Sequence, residues 1–214
     1  MLKPIKIIVL ILAILLPLTV SVANAQNSLT GAGGTAVYPV LSKWAETYYQ
    51  KTKVQVNYQA IGSGGGIAQI KAGTVAFGNS DKPLKPEELK AANLAQFPIV
   101  IIGITPVVNI ANIGAGQLTF DGKVLADIYL GKIKKWSDPA IKALNSGVTL
   151  PDLQITVVHR SDGSGTTFNF CDFLSKVSSQ WKGQVGADTS VSWPTGVGGK
   201  GNAGVAAYVQ QVNG

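Results

Sequence analysis

Hydrophobic and polar positions along this chain alternate between a helical and a strand period, and glycine-rich runs separate them. Val37, Val40, Leu41, Trp44 and Tyr48 recur at helical spacing behind the loop Gly31-Ala32-Gly33-Gly34-Thr35. Pro39 falls in the first turn of that helix, where a missing N–H is tolerated. Val54, Val56 and Tyr58 then alternate as a short strand. A second loop, Gly62-Ser63-Gly64-Gly65-Gly66, opens onto a helix carrying Ile67 and Ile70, and Phe77 to Ser80 reads as another strand ending at Asp81. Phe97 to Val108 is apolar almost throughout, which predicts a buried central strand, with Asn109 to Gly116 as a crossover behind it.

Past that point, Val124 to Leu130 reads as a helix, and Asp138-Pro139 is a cap followed by a first-turn proline that opens another. Ile155 to Val158 predicts a strand that delivers His159 and Arg160 into a third glycine loop, Asp162-Gly163-Ser164-Gly165-Thr166. The helix after it carries Phe168, Cys171, Leu174 and Trp181, and Val205 to Val212 begins a last one. Strand, loop and helix succeed one another in this order throughout, so the expected fold class is α/β.

The first 25 residues are set apart. Lys3 and Lys6 precede an apolar run from Ile7 through Leu16, and Ala23-Asn24-Ala25 closes it as a small-x-small cleavage signature. This is the pattern of a secretory signal peptide over residues 1–25, with the mature chain starting at Gln26. The run is shorter than the ~20 residues that a spanning helix needs. Cleavage removes two lysines and no acid, so the formal charge of +7 falls to +5, a mildly basic balance that suits an anionic partner. Basic runs interleaved with aromatic residues are absent, so no nucleic-acid partner is expected. Cys171 is the one cysteine, which excludes an intrachain disulfide; with 46% hydrophobic residues, the chain can rely on a packed core instead.

Three segments share a layout in which a glycine-rich loop with a hydroxyl residue opens directly onto a helix. The helix start offers unpaired N–H groups and the positive end of the dipole, and glycine lets the backbone approach a ligand closely; together these cradle an anion. One such loop is weak support. Three in a short chain, one of them beside Arg160, are stronger. Two catalytic motifs fail: the run ending Gly199-Lys200 has Pro194 where a phosphate-binding P-loop begins with Gly and Gly201 where it needs Ser or Thr. Around Ser63 and Ser164, the first glycine of a G-x-S-x-G elbow is replaced by Ile61 and Asp162. His159 is the only histidine and reads as structural, Cys171 reads as a small core residue, and no metal-ligand cluster stands out.

These segments, Leu29 to Thr35, Ile61 to Gly66, Phe77 to Asp81 and Arg160 to Thr166, resemble the phosphate-binding signature segments of the PstS family. Asp127 to Ile133 and Gly198 to Asn202 also match its pattern, and the likeness runs from Leu29 to about Val212. The resemblance implies a two-lobed, hinged α/β protein of the periplasmic-binding (type II, Venus-flytrap) kind, with lobe 1 over residues 26–109 and lobe 2 over 110–214. The family continues beyond the last residue here, so a C-terminal return segment that completes the lobes is expected to be missing. The implied role is to bind inorganic phosphate in the periplasm, as a monomer, and deliver it to the permease and ATPase subunits of an ABC transporter, without catalysis, cofactor or metal. The alternatives are a receptor for another oxyanion, a secreted phosphatase-like enzyme, or a surface module that binds no ligand.

Carried over residue by residue, the resemblance implies that Thr35 donates through its hydroxyl and N–H, Ala36 through its N–H and Ser63 through its hydroxyl. Arg160 would pair with phosphate oxygens, and Ser164, Gly165 and Thr166 would cradle the remainder. Asp81 would accept a proton-bearing hydrogen bond from phosphate and repel a fully deprotonated sulfate. Asp162 would hold and orient Arg160. Two departures from the family pattern are Ala36, where Phe is frequent, and Gly64, where a second serine is usual.

Overall fold

The computed structural model describes residues 27–214; the predicted leader, residues 1–25, lies outside the described residues. The elements run β1 (Ser28–Gly33), α1 (Tyr38–Thr52), β2 (Gln55–Gln59), α2 (Ser63–Lys71), β3 (Phe77–Asn79), α3 (Pro86–Ala91), α4 (Gly122–Tyr129), α5 (Pro139–Leu144), β4 (Val158–Arg160), α6 (Gly165–Val177), α7 (Ser179–Gln184), β5 (Val197–Gly199) and α8 (Gly201–Gln211). Each strand of the first half hands over to a helix. The resulting sheet is parallel in the order β2-β1-β3, with Leu29 opposite Val56 and Gly31 opposite both Tyr58 and Phe77. The Phe77 ring covers Gly31, where an added Cβ would lie 2.2 Å from it, and it stacks on Tyr58 at 6.1 Å.

In the second half, β4 and β5 form a two-stranded parallel sheet that pairs Arg160 with Gly199. Two of its helices start at aspartate caps, Asp138 as expected from the sequence and Asp121 in addition. The carboxylate of Asp121 accepts from Val124 N–H at 2.7 Å and that of Asp138 from Ala140 N–H at 2.8 Å. The predicted helix through Trp181 is in fact two. Ser178 has extended backbone, its N–H ends α6 on the Leu174 carbonyl, and its hydroxyl accepts from Trp181 N–H at 3.2 Å to begin α7. Two apolar clusters hold this half together. One joins Ile110, Val124, Ile128, Trp136, Ile141 and Val157; the other joins Ala126, Cys171, Leu174 and Trp181. Cys171 is wholly buried as expected, and burial pushes its thiol up to about 12.

The expectation of a buried central strand over Phe97 to Val108 is not met. This segment has no regular structure, Phe97 is 73% and Ile101 99% exposed, and its backbone makes no hydrogen bond among the described residues. Pro98 and Pro106 remove two donors, and no described strand lies alongside to build a ladder; an apolar run becomes a strand only when a neighbour pairs with it. Ile102 to Asn109 instead line a cavity of about 530 Å³ together with Ile155 to Arg160 and the α8 residues Val205 and Val209. The first half is thin in the same way. α1 follows its predicted period, yet it buries none of its own residues, and Trp44, Tyr48 and Tyr49 are exposed.

Two outcomes follow from this packing. Trp181→Ala removes a fully buried ring whose N–H donates to the Gly186 carbonyl at 3.0 Å, and is expected to destabilise the fold by about 3–5 kcal/mol in chemical denaturation. Ile101→Lys is expected to change stability by less than about 0.5 kcal/mol while lowering the fluorescence of an apolar dye such as ANS, because its side chain stands in solvent.

Candidate functional site

Four helix starts converge on one cleft between the two sheets. The β1–α1 loop brings Thr35 and Ala36, and α2 brings Ser63 at its first position. α6 brings Ser164 as its cap with Gly165 and Thr166 behind it, and α8 brings Gly201 and Asn202. Their meeting is recorded in contacts between residues far apart in sequence. Gly64 N–H donates to the Gly163 carbonyl at 2.9 Å, and Arg160 Nη1 and Asn202 N–H both reach Thr35 Oγ1 at 3.4 Å. The glycines make this approach possible. A Cβ on Gly165 would lie 2.6 Å from both Asp81 Oδ2 and Ser63 Oγ, and one on Gly62 (φ +89°) would lie 2.5 Å from the Gly163 carbonyl.

Arg160 ends β4 and is only 8% exposed. A buried guanidinium must be paired, and Asp162 pairs it from two positions along the chain. Arg160 Nε donates to Asp162 Oδ1 at 2.7 Å and Nη2 to Oδ2 at 2.5 Å, a bidentate fork. Nη1 donates to Asn202 Oδ1 at 2.8 Å. Burial alone would raise the Asp162 carboxyl, but the Arg160 hydrogen bond, the Gly201 N–H and the guanidinium charge outweigh it and hold it below its usual value.

Ser63, 1% exposed, and Asp81 face each other. Asp81 N–H donates to Ser63 Oγ at 3.2 Å, and that hydroxyl lies 3.5 Å from Asp81 Oδ2. Burial pushes the Asp81 carboxyl above the ordinary carboxylate range, and the Ser63 contact and the Arg160 charge only partly offset it. Burial and then the Asp81 charge raise the phenol of Tyr58, whose hydroxyl donates to the Gly34 carbonyl at 2.9 Å. Ser164 Oγ is committed to Thr167 N–H at 3.1 Å. Among the described residues, the N–H groups of Thr35, Ala36, Gly165 and Thr166 have no protein acceptor.

All nine residues named from the sequence, Thr35, Ala36, Ser63, Asp81, Arg160, Asp162, Ser164, Gly165 and Thr166, are thus brought to this cleft. Two further residues join them: Asn202, which closes the Gly198 to Asn202 segment noted in the sequence but has no expected role there, and Asn169, which has no sequence signal. Asn202 accepts from Arg160 from 42 positions away, and Asn169 reaches the Asp81 carbonyl from 88. Asparagine in the first turns of a helix reads as a polar surface residue, and only the folded chain shows its partner. His159, by contrast, stacks on Trp193 with ring centroids 4.7 Å apart and Nδ1 3.1 Å from the Arg160 carbonyl. The arrangement offers backbone donors, hydroxyls and one guanidinium around a carboxylate, and can therefore hold a small anion that carries a proton.

The chain is 60% identical over 186 residues to the phosphate-binding protein PstS of Xylella fastidiosa, an alignment that covers 87% of this chain and 51% of that protein. It is 57% identical over 203 residues to PstS of Pasteurella multocida, covering 95% of this chain and 59% of that one. The chain spans about half the length of the curated relatives it matches. Among solved structures it is similar to a putative phosphate ABC transporter substrate-binding protein with bound phosphate from Clostridium perfringens. That match has a TM-score of 0.63 and 27% identity, over 87% of this chain and 67% of that one. An ABC-type phosphate transport receptor from Vibrio cholerae matches with a TM-score of 0.53 and 25% identity, over 86% of this chain and 68% of that one. A family model described as the PBP superfamily domain matches residues 19–212, and the chain belongs to that superfamily.

Proposed function

We propose that the chain binds inorganic phosphate in the cleft, as the extracytoplasmic receptor component of a phosphate ABC transporter. The observation that carries this reading is the set of unpaired N–H groups at Thr35, Ala36, Gly165 and Thr166, gathered with buried Ser63 and Arg160 around Asp81. The ligand oxygens would take the N–H groups, the Thr35, Ser63 and Thr166 hydroxyls and the remaining Arg160 N–H. Asp81 would accept the ligand's proton. Charge-assisted hydrogen bonds contribute on the order of 1.5–3 kcal/mol each, and micromolar affinity needs about 8 kcal/mol, so this donor set suffices.

Transport is proposed over catalysis because, among the described residues, no hydroxyl or thiol is hydrogen-bonded to a histidine or lysine base. The hydroxyls of Ser63 and Ser164 engage Asp81 and Thr167 N–H, His159 is stacked on Trp193, and burial holds the Cys171 thiol in its protonated form. The relatives named above carry phosphate-binding names, which supports the ligand class. Periplasmic location, operation as a monomer, and transfer to permease and ATPase subunits belong to the same proposal. So do the lobes, residues 26–109 and 110–214, each of which contains one of the two sheets.

Calorimetric titration of the purified, ligand-stripped chain tests the reading: heat with phosphate and none with sulfate at neutral pH is expected, and a folded chain silent to phosphate refutes it. Arg160→Lys loses the fork with Asp162 and is expected to weaken phosphate binding by about ten- to a hundredfold. The raised Asp81 carboxyl gives a pH signature of definite sign. Above its pKa, the carboxylate repels sulfate; as pH falls through that pKa it becomes a donor, so sulfate binding should appear on the acid side of that pKa and be absent on the alkaline side. In Asp81→Asn, sulfate should bind at both, and a variant as selective as the unaltered chain would show that Asp81 does not discriminate.

A further inference from the structure

Asp81 is held at both backbone ends by different halves of the molecule. Its N–H is fixed by Ser63 at the start of α2, and its carbonyl accepts from Asn169 Nδ2 of α6 at 2.9 Å. The same amide nitrogen donates to the Gly165 carbonyl at 2.9 Å, so its two protons bridge the Asp81 loop and the first turn of α6. The neighbouring residue makes a second tie. Lys82 Nζ lies 2.7 Å from Asp188 Oδ1 and 5.4 Å above the ring of Phe168, which adjoins Asn169. Asp188 is followed by Thr189, whose carbonyl accepts the N–H of Ser164, the cap of α6. Within the loop, the Ser80 hydroxyl donates to the Lys82 carbonyl at 2.8 Å and accepts Lys82 N–H at 3.0 Å, which makes residues 80–82 a rigid turn. Its attachment to α6 therefore sets where the Asp81 carboxylate stands.

We infer that Asn169, aided by the Lys82–Asp188 pair, is a clasp that fastens the Asp81 turn across the cleft and positions its carboxylate against the bound anion. The inference rests on the phosphate-binding reading and adds to it: selectivity depends on residues that never touch the ligand. The two ties differ in strength for a physical reason. Asn169 is partly buried, and its removal leaves the Asp81 carbonyl without its donor, whereas the side chains of Lys82 and Asp188 are 26% and 58% exposed and their attraction is screened by water.

The test uses phosphate and sulfate titrations of the unaltered chain and its variants, with stopped-flow dissociation of phosphate and thermal melts of the ligand-free proteins. Asn169→Ala is expected to weaken phosphate binding by about tenfold, through faster dissociation, and to narrow its preference over sulfate. Lys82→Met and Asp188→Asn each weaken phosphate binding about two- to fivefold, and the exchanged pair Lys82→Asp with Asp188→Lys regains most of it. A general loss of stability would not be rescued by exchanging charges, nor would it alter the ratio of the two anions. Phosphate binding and selectivity unchanged in Asn169→Ala and Asp188→Asn would overturn the clasp while leaving the receptor reading in place. An unaltered, folded chain that binds no phosphate would overturn both.

Discussion

The site depends on one buried cation. Arg160 carries a charge that proteins cannot titrate away, in a position almost closed to water, and such a charge is tolerable only when its donors are met. Asp162 meets two of them, Asn202 another, and Thr35 lies in reach of the same nitrogen. These partners come from β4 and the loop after it, the start of α8, and the loop after β1, so satisfying one guanidinium brings three glycine-rich segments to a common point. The cleft between the sheets is built around that requirement.

The same pairing governs how the site can attract an anion. One guanidinium stands against two carboxylates, Asp162 and Asp81, so excess formal charge is not what draws a ligand in. The attraction is local, from helix-start N–H groups and hydroxyls brought close by glycines that leave no room for a Cβ. A carboxylate in this setting carries a cost, visible in the upward shift that burial imposes on Asp81. It is recovered only by a ligand that brings its own proton, which is why the proposed selectivity resides in the one group that disfavours anions. Asp81 is held from both sides of the cleft, its N–H by Ser63 and its carbonyl by Asn169, so under the proposed reading that choice depends on how the halves meet.

Outside the cleft, the structure is uneven. The second half has two apolar clusters with fully buried Trp181, Leu174 and Ile141, whereas the first half has a narrow three-stranded sheet and a helix, α1, with no buried residue. The ribbon from Phe97 to Val107 adds an apolar surface open to solvent. Most natural interiors would enclose such a run, so this segment stands to gain from burial.

Much of this was legible from residue order. Helix starts follow from local chemistry that acts over three or four positions: Asp121 and Asp138 as caps, Pro39 and Pro139 in first turns, glycine loops ahead of α2 and α6. Ser63 and the run from Arg160 to Thr166 lie in or beside those loops, whereas Thr35, Ala36 and Asp81 lie elsewhere, and the roles of all nine site residues came from the resemblance to a known family rather than from local chemistry. What the order of residues could not supply was the partner of any group that acts at long range. Asn202 on Arg160, Asn169 on Asp81 and Lys82 on Asp188 are separated by 42, 88 and 106 positions, and a polar side chain announces nothing about a contact that far away. Phe97 to Val108 failed for the same reason in the opposite sense. Apolar composition determines that a segment would gain from burial, but whether it becomes a strand is decided by the neighbour that completes its hydrogen bonds, and that is a property of the folded chain alone.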